Sequence, residues 1–174
     1  MANTIKNSIR TRKIAILAAD GVDSASLMKV QAALTAEGAI AEIIAPKLGT
    51  IESESGEEIV VRRSLLTVAS VLYDAVYVPG GTNSVATLKA EANAVHFLNE
   101  AYKHCKAIAV DESAQDILEA TYFANKVTAN NAEDNALSEG VIIHSQPRQL
   151  ASQFINAIAM HRFWEREKPR KVPA

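Results

Sequence analysis

Cysteine is almost missing from this chain. A single residue, Cys105, in 174 residues excludes an intramolecular disulfide. Also missing is any apolar run of the ~18 residues that a membrane span needs, and no signal-like apolar h-region is present. A soluble, cytoplasmic protein with no membrane partner is expected. Neither sign of charge is in large excess: 18 Lys and Arg stand against 20 Asp and Glu, for a net charge of −2. The basic residues are scattered except for Arg162, Arg166, Lys168, Arg170 and Lys171, which read as a solvated tail. No nucleic-acid partner is expected from that distribution. Histidine is scarce at four residues. His161 belongs to no metal-ligand spacing pattern, so a packed or interfacial histidine and no metal site are expected. Internal repeats and low-complexity tracts are absent as well.

What is present is apolar content, at 48%. A chain of this length buries roughly 70% of the surface its unfolded form exposes, so one domain with a full core is expected. The organising stretch is KAIAVDESA, residues 106–114. Its successive apolar residues read as a strand covered on both faces, which runs directly into a helix start. Asp111 and Glu112 then lie at the carboxyl end of that strand, where open parallel sheets keep their ligand crevices. Such a turn presents a nucleophile when it carries Ser or Cys, with helix N-terminal amides nearby. Here it carries Asp111, a poor acyl-transfer nucleophile without metal or phosphate chemistry.

Residues 1–11 are mostly polar and read as a lead-in or linker; the domain is expected over 12–163 and an extended tail over 164–174. RKIAILAAD gives a first buried strand with Asp20 and Gly21 at its carboxyl end. Asp23 or Ser24 caps the following helix, whose Leu27, Val30 and Leu34 recur at helical spacing before Gly38. AIAEIIAP completes a parallel βαβ unit. TIESESGEEIVV reads as a small hairpin outside the main sheet. YDAVYVPGG is a third core strand that closes on Gly80 and Gly81, which allow close backbone approach. A helix is expected over 91–104, a brief strand at KVTANN with Asn130 and Asn131 at its end, a strand at VIIHS, and a last helix from Gln146-Pro147 that carries Leu150, Phe154, Ile158 and His161 on one side. Cys105, at the amino end of its strand, is expected to be buried and inert. Phe163 and Trp164 begin a polar tail with no local core, so docking on another subunit or domain is expected.

Several stretches together carry a resemblance: RKIAILAADGVDSASL, IIAPKLGTI, YDAVYVPGGTNSV, FLNEAYKHCKAIA and the ending AIAMHRFWEREKPRKVPA. They resemble the C-terminal domain of large-subunit monofunctional catalases, over nearly the whole chain. The resemblance implies a flavodoxin-like α/β fold, a three-layer sandwich with a mainly parallel central sheet and a small β-hairpin excursion. It also implies kinship with the PfpI-type, class I glutamine amidotransferase-like superfamily. MANTIKNSIRTRK is similar to the linker that follows a catalase haem core, so Met1 is either internal to a longer parent or the start of a free-standing relative.

Residue by residue, the resemblance argues against the superfamily's hydrolase activity. Its cysteine falls at Asp111, its glutamate at Ser26 and its histidine at Asn130, so all three are replaced. No catalytic residue is assigned. The crevice residues left are Asp20, Gly21, Gly80, Gly81, Asp111 and Glu112, and the interface residues are His161, Phe163 and Trp164. The implied function is that of a non-catalytic domain in a peroxide-detoxifying catalase, stabilising a homo-oligomer by masking apolar surface or by chaperone-like action. Haem would belong to the parent core and no cofactor to this chain; the partners would be that core and the other subunits. Two other readings stand beside it: a free-standing PfpI-like hydrolase or amidase, which needs Cys105 or Asp111 as nucleophile, and a module that binds a small anion in the crevice.

Overall fold

The computed structural model describes residues 8–128 and 140–167. The chain opens with β1 (Lys13–Leu17), α1 (Ser24–Ala36) and β2 (Ile40–Ala45), the expected βαβ unit. Asp23 caps α1 by accepting from the Ser26 amide at 3.1 Å. Gly38 follows the helix at φ 81°, a left-handed conformation that costs glycine little. The hairpin β3 (Gly49–Glu52) and β4 (Glu58–Val61) pairs antiparallel as a separate two-stranded sheet, and β5 (Arg63–Ser64) returns to pair with β2.

Next come β6 (Ala75–Val78), α2 (Thr82–Ala90), α3 (Ala92–Lys103), β7 (Ala107–Asp111), a 3₁₀ segment (Glu112–Ala120), α4 (Ala124–Thr128), β8 (Val141–His144), α5 (Pro147–Ala159) and a short 3₁₀ turn (Trp164–Arg166). Among the described residues the main sheet runs β5-β2-β1-β6-β7-β8, every pair parallel. The chain steps outward from β1 to β2 and β5, then resumes on the other side of β1 with β6. The strand order therefore reverses between β1 and β6, where doubly wound sheets open a crevice.

Side chains alternate across the sheet, as the period of two requires. Ile14, Ile16, Tyr77 and Ala109 pack with Leu27, Leu34, Leu150 and Phe154 of α1 and α5. Ala15, Leu17, Val76 and Val110 pack on the other face with Leu88, Leu98 and Ile117. Two separate apolar layers on one sheet make the expected three-layer sandwich.

Four expectations are corrected. Residues 82–90, left unassigned by the pattern, form α2, with Ser84, Val85 and Leu88 buried. The break before α3 lies at Glu91, in extended backbone, where its side chain accepts from the Asn93 amide. Lys126–Thr128 belong to α4 rather than to a strand, because Phe123 and Val127, one helical turn apart, are both buried; Asn130 and Asn131 lie outside the described residues. His161 is not on the last helix, which ends at Ala159, and it stands at φ 72°.

The fourth correction concerns the tail. Phe163 was expected on a partner surface, yet it is 3% exposed in this domain's own core, with its amide on the Cys105 carbonyl at 2.8 Å. Arg166, read as part of a solvated basic tail, is also buried. Its guanidinium donates to the Lys106 carbonyl at 2.8 Å and sits 4.3 Å over the Tyr102 ring. The fold thus continues past the boundary expected at 163. Trp164 remains half exposed; Lys168, Arg170 and Lys171 lie outside the described residues. At the other end Ile9, in the expected lead-in, is 1% exposed in the core.

Candidate functional site

The corner at the carboxyl end of β7 is built from three elements. Asp111 is the last residue of β7 and 6% exposed. Ser26 comes from the first turn of α1 and Tyr77 from β6, both buried. Ser26 Oγ donates to Asp111 Oδ2 at 2.5 Å, and the Tyr77 hydroxyl donates to the same carboxylate at 3.1 and 3.2 Å. The Gly80 amide adds a third donor at 2.8 Å to Oδ2. Ser26 and Tyr77 are themselves 3.1 Å apart. The structure therefore brings Ser26 and Asp111, two of the three positions singled out in the sequence, into direct contact. The third, Asn130, lies outside the described residues.

Burial pushes the Asp111 carboxyl above the usual aspartate range, against the lowering by its three donors. The Tyr77 phenol is raised further from its ordinary value, first by burial and then by the Asp111 charge. Oδ2 accepts from Ser26, Tyr77 and Gly80 and Oδ1 from Tyr77, so the carboxylate is committed to a network internal to the domain.

The turn glycines make their close approach to the chain itself. The Gly80 carbonyl accepts from the Asp23 amide at 2.9 Å. Gly81, at φ 110°, leaves no room for a Cβ, which would lie 2.8 Å from both the Asp23 nitrogen and Val22 Cα. A methyl on Gly80 would overlap Ser113 Oγ. Asp20 and Gly21 are held by the hairpin: Asp20 Oδ1 accepts from the Glu52 amide at 2.9 Å, and the Gly21 amide donates to the Glu52 carbonyl at 2.7 Å. Ser24 and Ser55 hydroxyls, 3.3 Å apart, tie the hairpin turn to the start of α1. Glu112 is exposed at the head of the 3₁₀ segment.

Cys105 is fully buried at the opposite end of β7, at φ 58°. Sequence reasoning missed Tyr77. Its signal was available: a tyrosine inside a strand buried on both faces needs a partner for its hydroxyl. Among the described residues no group of three or more His, Cys, Asp or Glu side chains could hold a metal ion. No helix among them is long and apolar enough to cross a membrane.

Residues 10–168 match the family model for the C-terminal domain found in long catalases. The chain belongs to that family. This catalase C-terminal domain is 39% identical to the catalase HPII of Mycobacterium avium over 97% of its own length and 24% of that protein's. It is 34% identical to catalase HPII of Pseudomonas aeruginosa, covering 99% of this chain and 23% of the relative. Against Catalase-2 of Bacillus subtilis the figures are 36%, 95% and 22%. The domain thus spans about a quarter of these relatives. Among solved structures, a two-domain protein of Anabaena variabilis containing DJ-1/ThiJ/PfpI-like and ferritin-like domains aligns at a TM-score of 0.59 and 20% identity, over 63% of this chain and 33% of that one. At that identity the likeness speaks for the fold.

Proposed function

We propose that this catalase C-terminal domain is chemically silent and acts by association, stabilising the oligomer of a parent catalase whose haem core does the peroxide chemistry. The observation that carries the reading is the buried network at the strand-to-turn corner, where the Asp111 carboxylate accepts from Ser26, Tyr77 and Gly80. Haem needs an axial ligand and an enclosed pocket and would belong to the parent core; in this domain the Tyr77 hydroxyl is in the Asp111 cluster and Cys105 is fully enclosed.

Two measurements test the reading. Removing this domain from a long catalase should shorten its half-life at elevated temperature and shift its oligomeric mass while the initial rate per haem stays close to that of the whole enzyme; unchanged heat resistance and mass would sink the proposal. The isolated domain should not hydrolyse glyoxalase-type or ester substrates, and Asp111→Cys should not confer hydrolysis. A helix N-terminus supplies at most ~2 kcal/mol toward a thiolate, whereas the missing acid and base help is typically ~10²- to 10⁴-fold. Wild-type turnover that survives Asp111→Ala but is lost in Cys105→Ser would instead place an active site at the other end of β7.

A further inference from the structure

Helices α1 and α5 lie side by side on one face of the sheet, and both run from its carboxyl edge back to its amino edge because each follows a parallel strand. Between them is an open groove of about 740 Å³. Ala151 on its floor belongs to the core, and Ala33 and Ile155 are partly buried against that core. Lys29 and Arg148 line the groove toward the carboxyl edge and Glu37 lines its other end. All three charged residues are exposed, and among the described residues none of them forms an ion pair. Arg10, whose side chain lies against Gly38, does not reach Glu37 within 4.0 Å.

Two of these charges stand at the helix end of their own sign. Glu37 is the C-cap of α1, at the negative end of that helix, and Arg148 is in the first turn of α5, at the positive end. The helix dipoles disfavour both placements, so each charge gains from an opposite charge brought to it from outside the domain. The two signs are also ordered along the groove. Lys29 and Glu37 are roughly 12 Å apart along α1 at a rise of 1.5 Å per residue. A two-fold axis through the middle of the groove reverses its direction, which sets Lys29 and Arg148 of one copy against Glu37 of the other, twice over. The short side chains of Ala33 and Ala151 let the two helix pairs approach at the centre. A partner of single charge sign would satisfy one end of the groove and be repelled at the other. The nearly balanced net charge of −2 leaves little long-range repulsion between copies.

We propose that the α1–α5 groove is an interface between two copies of this chain related by a two-fold axis. Lys29 and Arg148 of each copy meet Glu37 of the other, around an apolar centre at Ala33, Ala151 and Ile155. The proposal rests on the reading of the domain as an association module and names the face and the partner. Charge complementarity selects the occupant, because the groove carries both signs in the order that a second, reversed groove matches.

Sedimentation equilibrium of the 174-residue chain should show a dimer that salt weakens. Glu37→Lys sets like charges face to face at both ends of the interface and should raise the dissociation constant about tenfold or more. Lys29→Glu combined with Arg148→Glu should do the same, and the triple variant, with the signs exchanged throughout, should restore the dimer. Glu37→Lys and Arg148→Glu each give a helix end the charge it favours, so the melting temperature of the monomer should hold or rise while association falls. That opposite sign separates a lost interface from a damaged fold. A chain that stays monomeric, a dimer indifferent to salt and to Glu37→Lys, or a triple variant that does not recover overturns the proposal. A monomeric chain in which Glu37→Lys nonetheless lowers the heat resistance of the parent enzyme would make the parent core the occupant and overturn it too. The effect of removing the whole domain on that heat resistance is a separate readout, so failure here and failure of the association role are distinguishable.

Discussion

Ser26 donates a 2.5 Å hydrogen bond to Asp111 across 85 residues of sequence. The acid stands at the strand-to-turn corner and the hydroxyl on the first turn of α1, so the hydrogen bond ties helix to sheet at the carboxyl edge.

That pair should matter for stability more than for chemistry. Asp111→Ala leaves the buried Ser26 and Tyr77 hydroxyls and the Gly80 amide without their acceptor. Each unmet buried donor costs about 1 to 3 kcal/mol, tempered by rearrangement among them, so a loss of roughly 2 to 4 kcal/mol is expected in urea denaturation. Asp111→Asn, which keeps an oxygen acceptor for Gly80, should lose less than half of that. An alanine variant as stable as wild type would mean that the cluster contributes nothing.

The two tail aromatics should part company. Phe163 is packed in the core and Trp164 is half exposed. Phe163→Ala should cost about 3 to 5 kcal/mol, as large-to-small core changes do, while Trp164→Ala should fall within ~0.5 kcal/mol. Truncation from Phe163 onward should accordingly impair folding, contrary to what an extended tail predicts. Melting curves of the two point variants decide it; equal effects would return both residues to the surface.

Gly81→Ala should be among the most damaging single-methyl additions in the domain. The position combines φ 110° with a Cβ site 2.8 Å from the Asp23 nitrogen and Val22 Cα. Backbone strain and overpacking, each of order 1 to 3 kcal/mol, act together there. Expression yield and melting temperature read the result. Gly49→Ala is the control, because at φ 117° it shares the strain but has no atom within 4 Å of the added methyl.

Lys106 gives the domain a stability term on the alkaline side. Its folded-state pKa, about 8, lies below the ordinary 10.5, with burial the largest cause. The penalty for the buried charge is present in full below about pH 8 and is relieved as the pH rises toward 10.5. The gap between those values, at ~1.4 kcal/mol for each pH unit, bounds the effect at roughly 3 kcal/mol. Wild type should therefore gain stability relative to Lys106→Met between pH 8 and 10.5. Parallel stability curves across that window would show that the ammonium is not penalised by its site.

Local pattern carried the architecture. Alternating or continuous apolar runs marked β1, β2, β6, β7 and β8, Asp23 and Gly38 marked the ends of α1, and the run around Ser55-Gly56 marked the hairpin. These signals are local because strand burial, capping and turn formation depend on neighbours within a few residues. The place of Asp111 at the carboxyl end of β7 was legible for the same reason, since it sits in a strand-to-turn motif that can be located without coordinates. Local pattern failed where one signal was weak. Helix α2 carries few large apolar residues, and the α4 stretch KVT is short and β-branched, so periodicity alone did not separate helix from strand.

The rest depended on which distant elements the sheet brings together. Nothing near Asp111 in sequence announces that Ser26 and Tyr77 satisfy it; strand order β1-β6-β7 and the start of α1 put them there. A polar tail hid the fact that Phe163 fills the space above Gly140 and that Arg166 stacks on Tyr102, because a pocket made by other elements has no trace in the tail's own composition. The sequence by itself determined the core strands, the hairpin and the ends of α1; only the tertiary structure decided which buried groups satisfy one another, because those pairings are long-range rather than properties of local pattern.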